Sequence, residues 1–356
     1  ENDMNYDAEA KNWVLLPANA RRRNDHVAAQ QAALEEDAVA SPYNVYTDAS
    51  DHSLGIIASG IGYNYVRECF AGGQVPYPLL KISQYPLPKK LVRRMLSECE
   101  RVLIVEEGQP FVEDIVRGVA EMPNVMGRLT GELPRTGELN PDVVKKALGM
   151  EVGENYAPCE DVAPRPPALC QGCGHRDVYT ALNEVLREYD NPRVFGDIGC
   201  YTLGFLPPYK AIHSCVDMGA SITMAKGAAD AGQWPAVAII GDSTFTHSGM
   251  TGLLDAINEN ADITVIISDN LTTGMTGGQD SAGTNKFEAI CRGLGLSDEH
   301  LHVVVPLPKN MPEITSIMRQ EINYHGTSVI IPRRECIQTL QRHLKQKKAQ
   351  EENRKS

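Results

Sequence analysis

The stretch from Ala236 to Asn270 leaves a polypeptide few ways to fold. Ala236-Val237-Ala238-Ile239-Ile240 is a short, uninterrupted apolar run rich in β-branched residues, and Thr264-Val265-Ile266-Ile267 is a second. Runs of this kind suit strands buried on both faces of a sheet. Met250 to Ile257, between them, carries apolar residues at helical spacing. Strand, helix, strand is the crossover unit of a parallel sheet. Each run ends in polar punctuation: Gly241-Asp242-Ser243 after the first and Ser268-Asp269-Asn270 after the second, with Asn270 28 positions beyond Asp242. Ligands of open α/β sheets bind at the carboxyl ends of the strands, so an acid and an amide are predicted to meet there. Mg²⁺ takes a few protein oxygens and completes its octahedron with phosphate oxygens and water. The prediction is a diphosphate and magnesium site, with the Asp242 carboxylate, the Asn270 amide and the backbone carbonyl of Thr272 as protein ligands.

Length and composition bound the rest. A chain of 356 residues suits two domains better than one. Its net charge of −12, from 46 acidic and 34 basic side chains, argues against a nucleic-acid surface. There is no apolar run long enough to cross a membrane as a helix and no secretory signal. Nine cysteines in such a chain point to metal binding, redox chemistry or ordinary burial rather than to a disulfide framework, and the expected location is cytoplasmic. The first residue is Glu1, as expected of the cut end of something longer.

The organisation follows from alternating signals. Residues 1–50 are mostly polar, with Arg21-Arg22-Arg23 and a helical stretch from His26 to Ala38, and read as a connecting segment. A first α/β domain is expected over 51–150, with a strand running into a glycine turn over Leu54 to Gly60, strands at Leu79 to Ile82 and Val102 to Glu107, and helices beginning near Tyr63, Pro88 and Pro110. Proline-rich 151–168 is the linker and 169–342 the second domain, whose further strands are Val194-Phe195, Val303 to Val305 and Ser328 to Ile331. Residues 343–356 form a charged tail, expected to be frayed or disordered.

Two further constellations carry chemistry. Thr272-Thr273-Gly274-Met275-Thr276-Gly277-Gly278 places small residues and hydroxyls directly after the amide, where backbone can approach a diphosphate. Gly219-Ala220, after Asp217-Met218, opens a helix whose N-terminus would come close either to a ligand or to a neighbouring strand. Cys170 and Cys173 form a CxxC, joined at a distance by Cys200 and Cys336. Four thiolates hold a [4Fe–4S] cluster or a structural Zn²⁺, unless they stand as ordinary thiols. One close pair plus two single cysteines at strand ends favours the cluster. Cys69, Cys99, Cys159 and Cys291 read as structural, while Cys215 is left open between a structural and a cofactor-facing role. His175 and His213 are candidate catalytic residues, as proton carriers or partners of a substrate carboxylate, or else hydrogen-bonded structural histidines.

The spacing from Gly241-Asp242-Ser243 to Asn270 is similar to the thiamine diphosphate signature. Pro167 to Arg176, Gly196 to Gly204, Met218 to Ser221, Gly241 to Phe245 and Asp269-Asn270 with Met275-Thr276-Gly277 together resemble the alpha subunit of the indolepyruvate ferredoxin oxidoreductases, in the 2-oxoacid:ferredoxin oxidoreductase family. Val14 to Arg23, Ser59 to Val66 and Gly137 to Val144 agree in the first half. The resemblance covers nearly the whole chain and implies two parallel-sheet, three-layer α/β domains, the first of transketolase C-terminal type and the second of thiamine diphosphate-binding type. It implies that Gly241, Asp242, Ser243, Asn270, Thr272, Met275, Thr276, Cys200, Tyr201, Gly219 and Ala220 lie around thiamine diphosphate and its Mg²⁺. Cys170, Cys173, Cys200 and Cys336 would hold a [4Fe–4S] cluster. The implied activity is oxidative decarboxylation of arylpyruvates to aryl-acetyl-coenzyme A, with a beta subunit as assembly partner and ferredoxin as electron acceptor.

Two departures from the family pattern carry expectations of their own. Nothing precedes the connecting segment where the family has a pyrimidine-binding domain, and no ferredoxin-like CxxCxxC motifs follow Cys336. This chain is therefore expected to bind the diphosphate poorly alone and to be inactive without its partners. The alternatives are a non-oxidative thiamine-dependent 2-oxo acid decarboxylase and a non-catalytic assembly subunit.

Overall fold

A computed structural model describes residues 9–12, 14, 16–119, 121–154, 159, 161–163 and 165–355, except the side chains of 10 and 348–355. Glu1, Leu15, Pro164 and 155–158, which carry parts of the connecting-segment and linker expectations, lie outside the described residues. The chain forms two compact units, Glu1–Cys159 and Glu160–Ser356, and the division falls inside 151–168.

The first unit opens with α1 (Pro17–Ala40), followed by β1 (Val45–Thr47), β2 (Gly55–Ser59), α2 (Ile61–Glu68), β3 (Leu79–Ile82), α3 (Lys89–Glu98), β4 (Val102–Val105), α4 (Phe111–Arg117), β5 (Val125–Met126) and α5 (Pro141–Ala147). Its sheet runs β1-β3-β2-β4-β5. The three central strands are the predicted ones and lie parallel, while β1 is an antiparallel edge strand on β3. Part of the expected connecting segment therefore belongs to this sheet. The predicted helix over 26–38 starts earlier, at Pro17, because proline at the first helical position has its φ preset and no amide hydrogen to satisfy. Alternate strand residues feed two cores: Ile56, Ala58, Leu103 and Val105 face one side, Ile57, Val102 and Ile104 the other.

The second unit contains α6 (Gly174–Leu186), β6 (Arg193–Gly196), β7 (Ser214–Cys215), α7 (Ala220–Asp230), β8 (Ala236–Gly241), α8 (Asp242–Thr244), α9 (Met250–Asn258), β9 (Ile263–Ser268), α10 (Phe287–Gly293), β10 (Leu301–Val304), α11 (Met311–Ile322), β11 (Thr327–Pro332) and α12 (Ile337–Lys355). The six strands are all parallel, in the order β10-β11-β9-β8-β6-β7. Val237 and Ile239 of β8 face α6 and α11, whereas Ala238 and Ile240 face α7, α9 and α10. This is a parallel α/β sheet covered on both faces, as the continuous apolar runs require. A π-turn at Phe245–Gly249 joins α8 to α9, so one helical path starts at the end of β8.

The charged tail differs from expectation. Residues 343–355 continue α12 rather than lying disordered. Lys, Gln, Ala, Glu and Arg lose little on entering a helix, and no glycine or proline interrupts them, so the turn nucleated at Ile337 propagates.

Candidate functional site

Four strand ends of the second sheet converge on one edge. β8 delivers Asp242, 3 % exposed, to the start of α8. Its Oδ1 accepts the Ser243 amide at 2.6 Å and its Oδ2 the Thr272 amide at 3.1 Å. β9 delivers Asn270, whose Oδ1 accepts the same Thr272 amide at 3.2 Å. The chain doubles back between them because Leu271 takes a left-handed conformation, φ +61°. The predicted trio of Asp242, Asn270 and Thr272 is thus joined through one shared N–H group, and the Ser243 and Thr273 hydroxyls, 2.7 Å apart, tie the two loops together. Burial pushes the Asp242 carboxyl up to about 6, and the neighbouring Asp269 pushes the same way. Such a carboxylate is short of positive charge, the environment a cation relieves.

These loops wall a cavity of about 120 Å³. Tyr201 forms another wall, its ring enclosed by Gly199 and Gly241; a Cβ on Gly241 would stand 2.6 Å from the ring. Its hydroxyl donates to Asp197, a fully buried carboxylate at the end of β6. Asp197 Oδ2 also accepts the Ser221 hydroxyl at 2.7 Å and the backbone amides of Gly219 and Ser221 at 3.0 and 3.3 Å. His175, buried at the start of α6, lines the same cavity. Its ring meets Tyr201 edge-on at 6.3 Å, and burial lowers it to about 4, so the imidazole is neutral near pH 7.

A second cavity, about 140 Å³, adjoins the first and shares His175, Cys200, Ser268, Asn270 and Gly274 with it. All four thiols of interest, Cys170, Cys173, Cys200 and Cys336, line it. Cys173 is pushed up to about 11 by burial, its thiol neighbours adding to the effect, and Cys200 is raised for the same reasons. A Cβ on Gly274 would lie 3.6 Å from Cys200 Sγ and 3.9 Å from both Asn270 Nδ2 and Cys336 Sγ. Cys336 is tied to the first cavity through its backbone, whose amide donates to Asn270 O at 3.0 Å. Among the described residues no three His, Cys, Asp or Glu side chains stand close enough to hold one metal ion.

Among the described residues, three buried side-chain polar atoms lack any partner, and two of them, His175 Nε2 and Ser268 Oγ, line both cavities. Buried polar groups are nearly always satisfied. A single ionised acid, an amide and a threonine carbonyl are hard oxygen donors suited to Mg²⁺ with phosphate oxygens completing its shell, so the residues present fit the implied diphosphate.

Comparison with known proteins settles the lineage. The model of the family described as "Thiamine pyrophosphate enzyme, C-terminal TPP binding domain" matches residues 197–331. The chain is 35% identical over 347 residues to the indolepyruvate oxidoreductase subunit IorA of Archaeoglobus fulgidus, covering 91% of this chain and 55% of that protein. It is 34% identical over 354 residues to the subunit of the same name from Methanothermobacter thermautotrophicus, covering 92% and 57%, and 32% identical over 374 residues to that of Pyrococcus horikoshii, covering 93% and 56%. The chain belongs to the indolepyruvate oxidoreductase subunit IorA family. It spans about half the length of these curated relatives. The thiamine pyrophosphate match includes Asp197, Asp242, Asn270 and Cys200, whereas Cys170, Cys173 and Cys336 lie outside it.

Not every expected residue of this IorA-family chain reaches the site. Gly241, Asp242, Ser243, Asn270, Thr272, Met275, Thr276, Cys200, Tyr201 and His175 line the first cavity. Gly219 and Ala220 do not: the anion at the N-terminus of α7 is the protein's own Asp197 carboxylate, which the Gly219 amide already serves. His213 is also elsewhere. It borders a separate cavity of about 370 Å³ beside Phe205 and Cys215, and its Nδ1 accepts the Val194 amide at 3.0 Å. Cys69, Cys99 and Cys291 are buried, as structural cysteines would be, whereas Cys159 and Cys215 are exposed.

Sequence reading missed Asp197, Asp269 and Arg333. Asp197 had a signal, since Gly196-Asp197 after an apolar run repeats the pattern of Gly241-Asp242. Arg333 had none, being one arginine among several.

Proposed function

We propose that this chain is the thiamine diphosphate-binding part of an oxidoreductase acting on 2-oxo acids of arylpyruvate type, with coenzyme A as acyl acceptor and ferredoxin as electron acceptor. Asp242, Asn270 and the Thr272 carbonyl would hold Mg²⁺ and the diphosphate. Bound there, thiamine diphosphate would supply the carbanion-stabilising centre that lets a 2-oxo acid lose CO₂. The thiols of Cys170, Cys173, Cys200 and Cys336 would hold a [4Fe–4S] cluster able to take electrons singly.

The protein's own contribution is to position and to exclude. Tyr201, fixed by Asp197 and flanked by two glycines, keeps one wall rigid. His175 offers a neutral imidazole whose Nε2 has no protein partner, and so can give or take one hydrogen bond at a bound oxygen without carrying charge into a dry pocket. Ser268 Oγ offers a second such contact.

The observation that carries the oxidative reading is the pair of adjoining cavities, one walled by the diphosphate loops and the other by four thiols, sharing His175 and Ser268. A non-oxidative decarboxylase has no use for those thiols. A lone tetrahedral Zn²⁺, with Zn–S bonds of about 2.3 Å, draws its sulfurs to within about 4 Å of one another; a cluster several atoms across asks for thiolates spread around a cavity. The arylpyruvate and ferredoxin assignments rest on the family resemblance and the names of the relatives.

The test is iron and acid-labile sulfide content of anaerobically prepared protein, with an electron paramagnetic resonance spectrum after reduction. Iron and sulfide in cluster proportion with a reduced-cluster signal are expected. Protein that binds thiamine diphosphate yet carries neither iron nor sulfide would overturn the oxidative reading.

A further inference from the structure

The carboxyl end of β9 carries two polar residues, and only Asn270 has been given a task. Its neighbour Asp269 is 1 % exposed. Gly241 of β8 is paired in register with Ser268 of β9, so Asp242 and Asp269 follow side by side at the ends of adjacent parallel strands, where neighbouring chains lie about 5 Å apart. Two buried carboxylates carried by adjacent strand ends would ordinarily attract a cation by themselves.

Arg333 prevents this. The residue just past β11 pairs in parallel with Asp269, its Nε donating to Asp269 Oδ2 at 2.5 Å. Its two terminal nitrogens donate to the Glu288 carboxylate of α10 at 2.9 and 2.7 Å, which fixes the guanidinium plane. The other Asp269 oxygen accepts the Leu271 amide at 3.2 Å, and the Asp269 carbonyl accepts the Arg334 amide at 2.9 Å. Asp269 is therefore ion-paired with Arg333 and turned toward β11, which leaves Asp242 as the carboxylate of the two with no ion-pair partner among the described residues.

We infer that Arg333 makes cation binding at Asp242 conditional on the diphosphate. The inference rests on reading the Asp242–Asn270 cavity as a cation–diphosphate site and names how that site is regulated. With one free carboxylate and one amide, the protein alone offers a divalent ion too little negative charge; the phosphate oxygens supply the remainder. Were Asp269 unpaired, the second charge would strengthen attraction for a divalent ion steeply at this short range and low exposure. The site would then fill with free cation before the cofactor arrived. Arg333 is a positioning residue in this scheme: it touches neither ion nor cofactor and acts through Asp269.

Mn²⁺, a paramagnetic stand-in for Mg²⁺, gives the readout, because the free ion's resonance reports binding directly in the full chain with or without thiamine diphosphate. Wild-type protein should bind Mn²⁺ at least about tenfold more weakly without the diphosphate than with it. Arg333→Met removes a positive charge at similar volume and should tighten Mn²⁺ binding without diphosphate about tenfold. Asp269→Asn removes a negative charge and should weaken it about tenfold. Opposite signs are the signature, since a merely structural disturbance would weaken both. If Arg333→Met fails to fold, Asp269→Asn decides alone: unchanged or tighter binding overturns the inference. Weakened or unchanged Mn²⁺ binding in a folded Arg333→Met overturns it too. Wild-type protein that takes up no Mn²⁺ even with thiamine diphosphate would instead overturn the underlying reading of the site.

Discussion

Gly241→Ala tests whether the cavity wall is as rigid as its packing implies. Gly241 has φ −84° and ψ 163°, an extended conformation that alanine adopts freely, so no backbone strain enters. The cost comes from one contact: the new Cβ would lie 2.6 Å from Tyr201 Cε1, where carbon atoms settle at about 3.5–4.0 Å. The ring must retreat by roughly 1 Å, yet Gly199 lies against it and its hydroxyl is fixed by Asp197 and by the Ile198 carbonyl at 3.2 Å. Overpacking of this kind costs about 1–3 kcal/mol. For a unit of this size each kcal/mol moves Tm by about 2–4 °C, so a loss of roughly 2–12 °C is expected. Differential scanning calorimetry reads the stability and isothermal titration the affinity for thiamine diphosphate with Mg²⁺, which should fall with it. Gly227→Ala is the control: it lies within α7 with open space around it, and should stabilise by about 0.5–1 kcal/mol. A Gly241→Ala protein with wild-type Tm and wild-type cofactor affinity would refute the account of Tyr201 as a fixed wall.

Gly274→Ala should behave in the opposite way to Gly241→Ala. Its methyl meets Cys200 Sγ, Asn270 Nδ2 and Cys336 Sγ only at ordinary contact distances, so Tm should stay within a few degrees, but the group occupies space between two thiols and iron loading after anaerobic reconstitution should fall at least severalfold; full loading would count against the cluster site. Glu288, whose carboxyl the Arg333 guanidinium lowers to about 2, gives a pH signature. Because its folded value lies below the unfolded one, its stabilisation is complete above about pH 4.5 and is lost as pH falls through about 2. The gap corresponds to at most about 3 kcal/mol, reduced to roughly 1–2 by the solvent reaching this partly exposed pair. Urea midpoints of wild type and Glu288→Gln should therefore differ at pH 7 and converge near pH 2, and a constant gap across that range would contradict the pairing. Glu321, wholly buried, accepts hydrogen bonds from His300 at 2.9 Å and His302 at 2.7 Å. Glu321→Ala leaves both rings without this partner and should cost about 1–3 kcal/mol, read as a lower chemical-denaturation midpoint.

What the sequence determined by itself was local. The strands β8 and β9 were legible because an unbroken β-branched run closed by glycine or acid has few other uses, and the Asp242–Asn270 pairing followed from placing two such ends on one parallel sheet. The short strands β1, β5 and β7, of two or three residues each, were not legible, since so few residues carry no period. The fate of α7's N-terminus was not legible either. Sequence offers that cluster of amides to any anion, and only folding showed that Asp197, 22 residues before Gly219, already fills it. The cysteines could be counted from sequence, yet Cys336 reaches Cys200's cavity only because β11 lies beside β9 and carries the following loop along Asp269 and Asn270. The same pairing sets Arg333 against Asp269. Hydrophobic periodicity and turn chemistry act over neighbouring residues and are written in their order, whereas which charges meet across a sheet depends on strand order and register, properties that exist only once the whole sheet has formed.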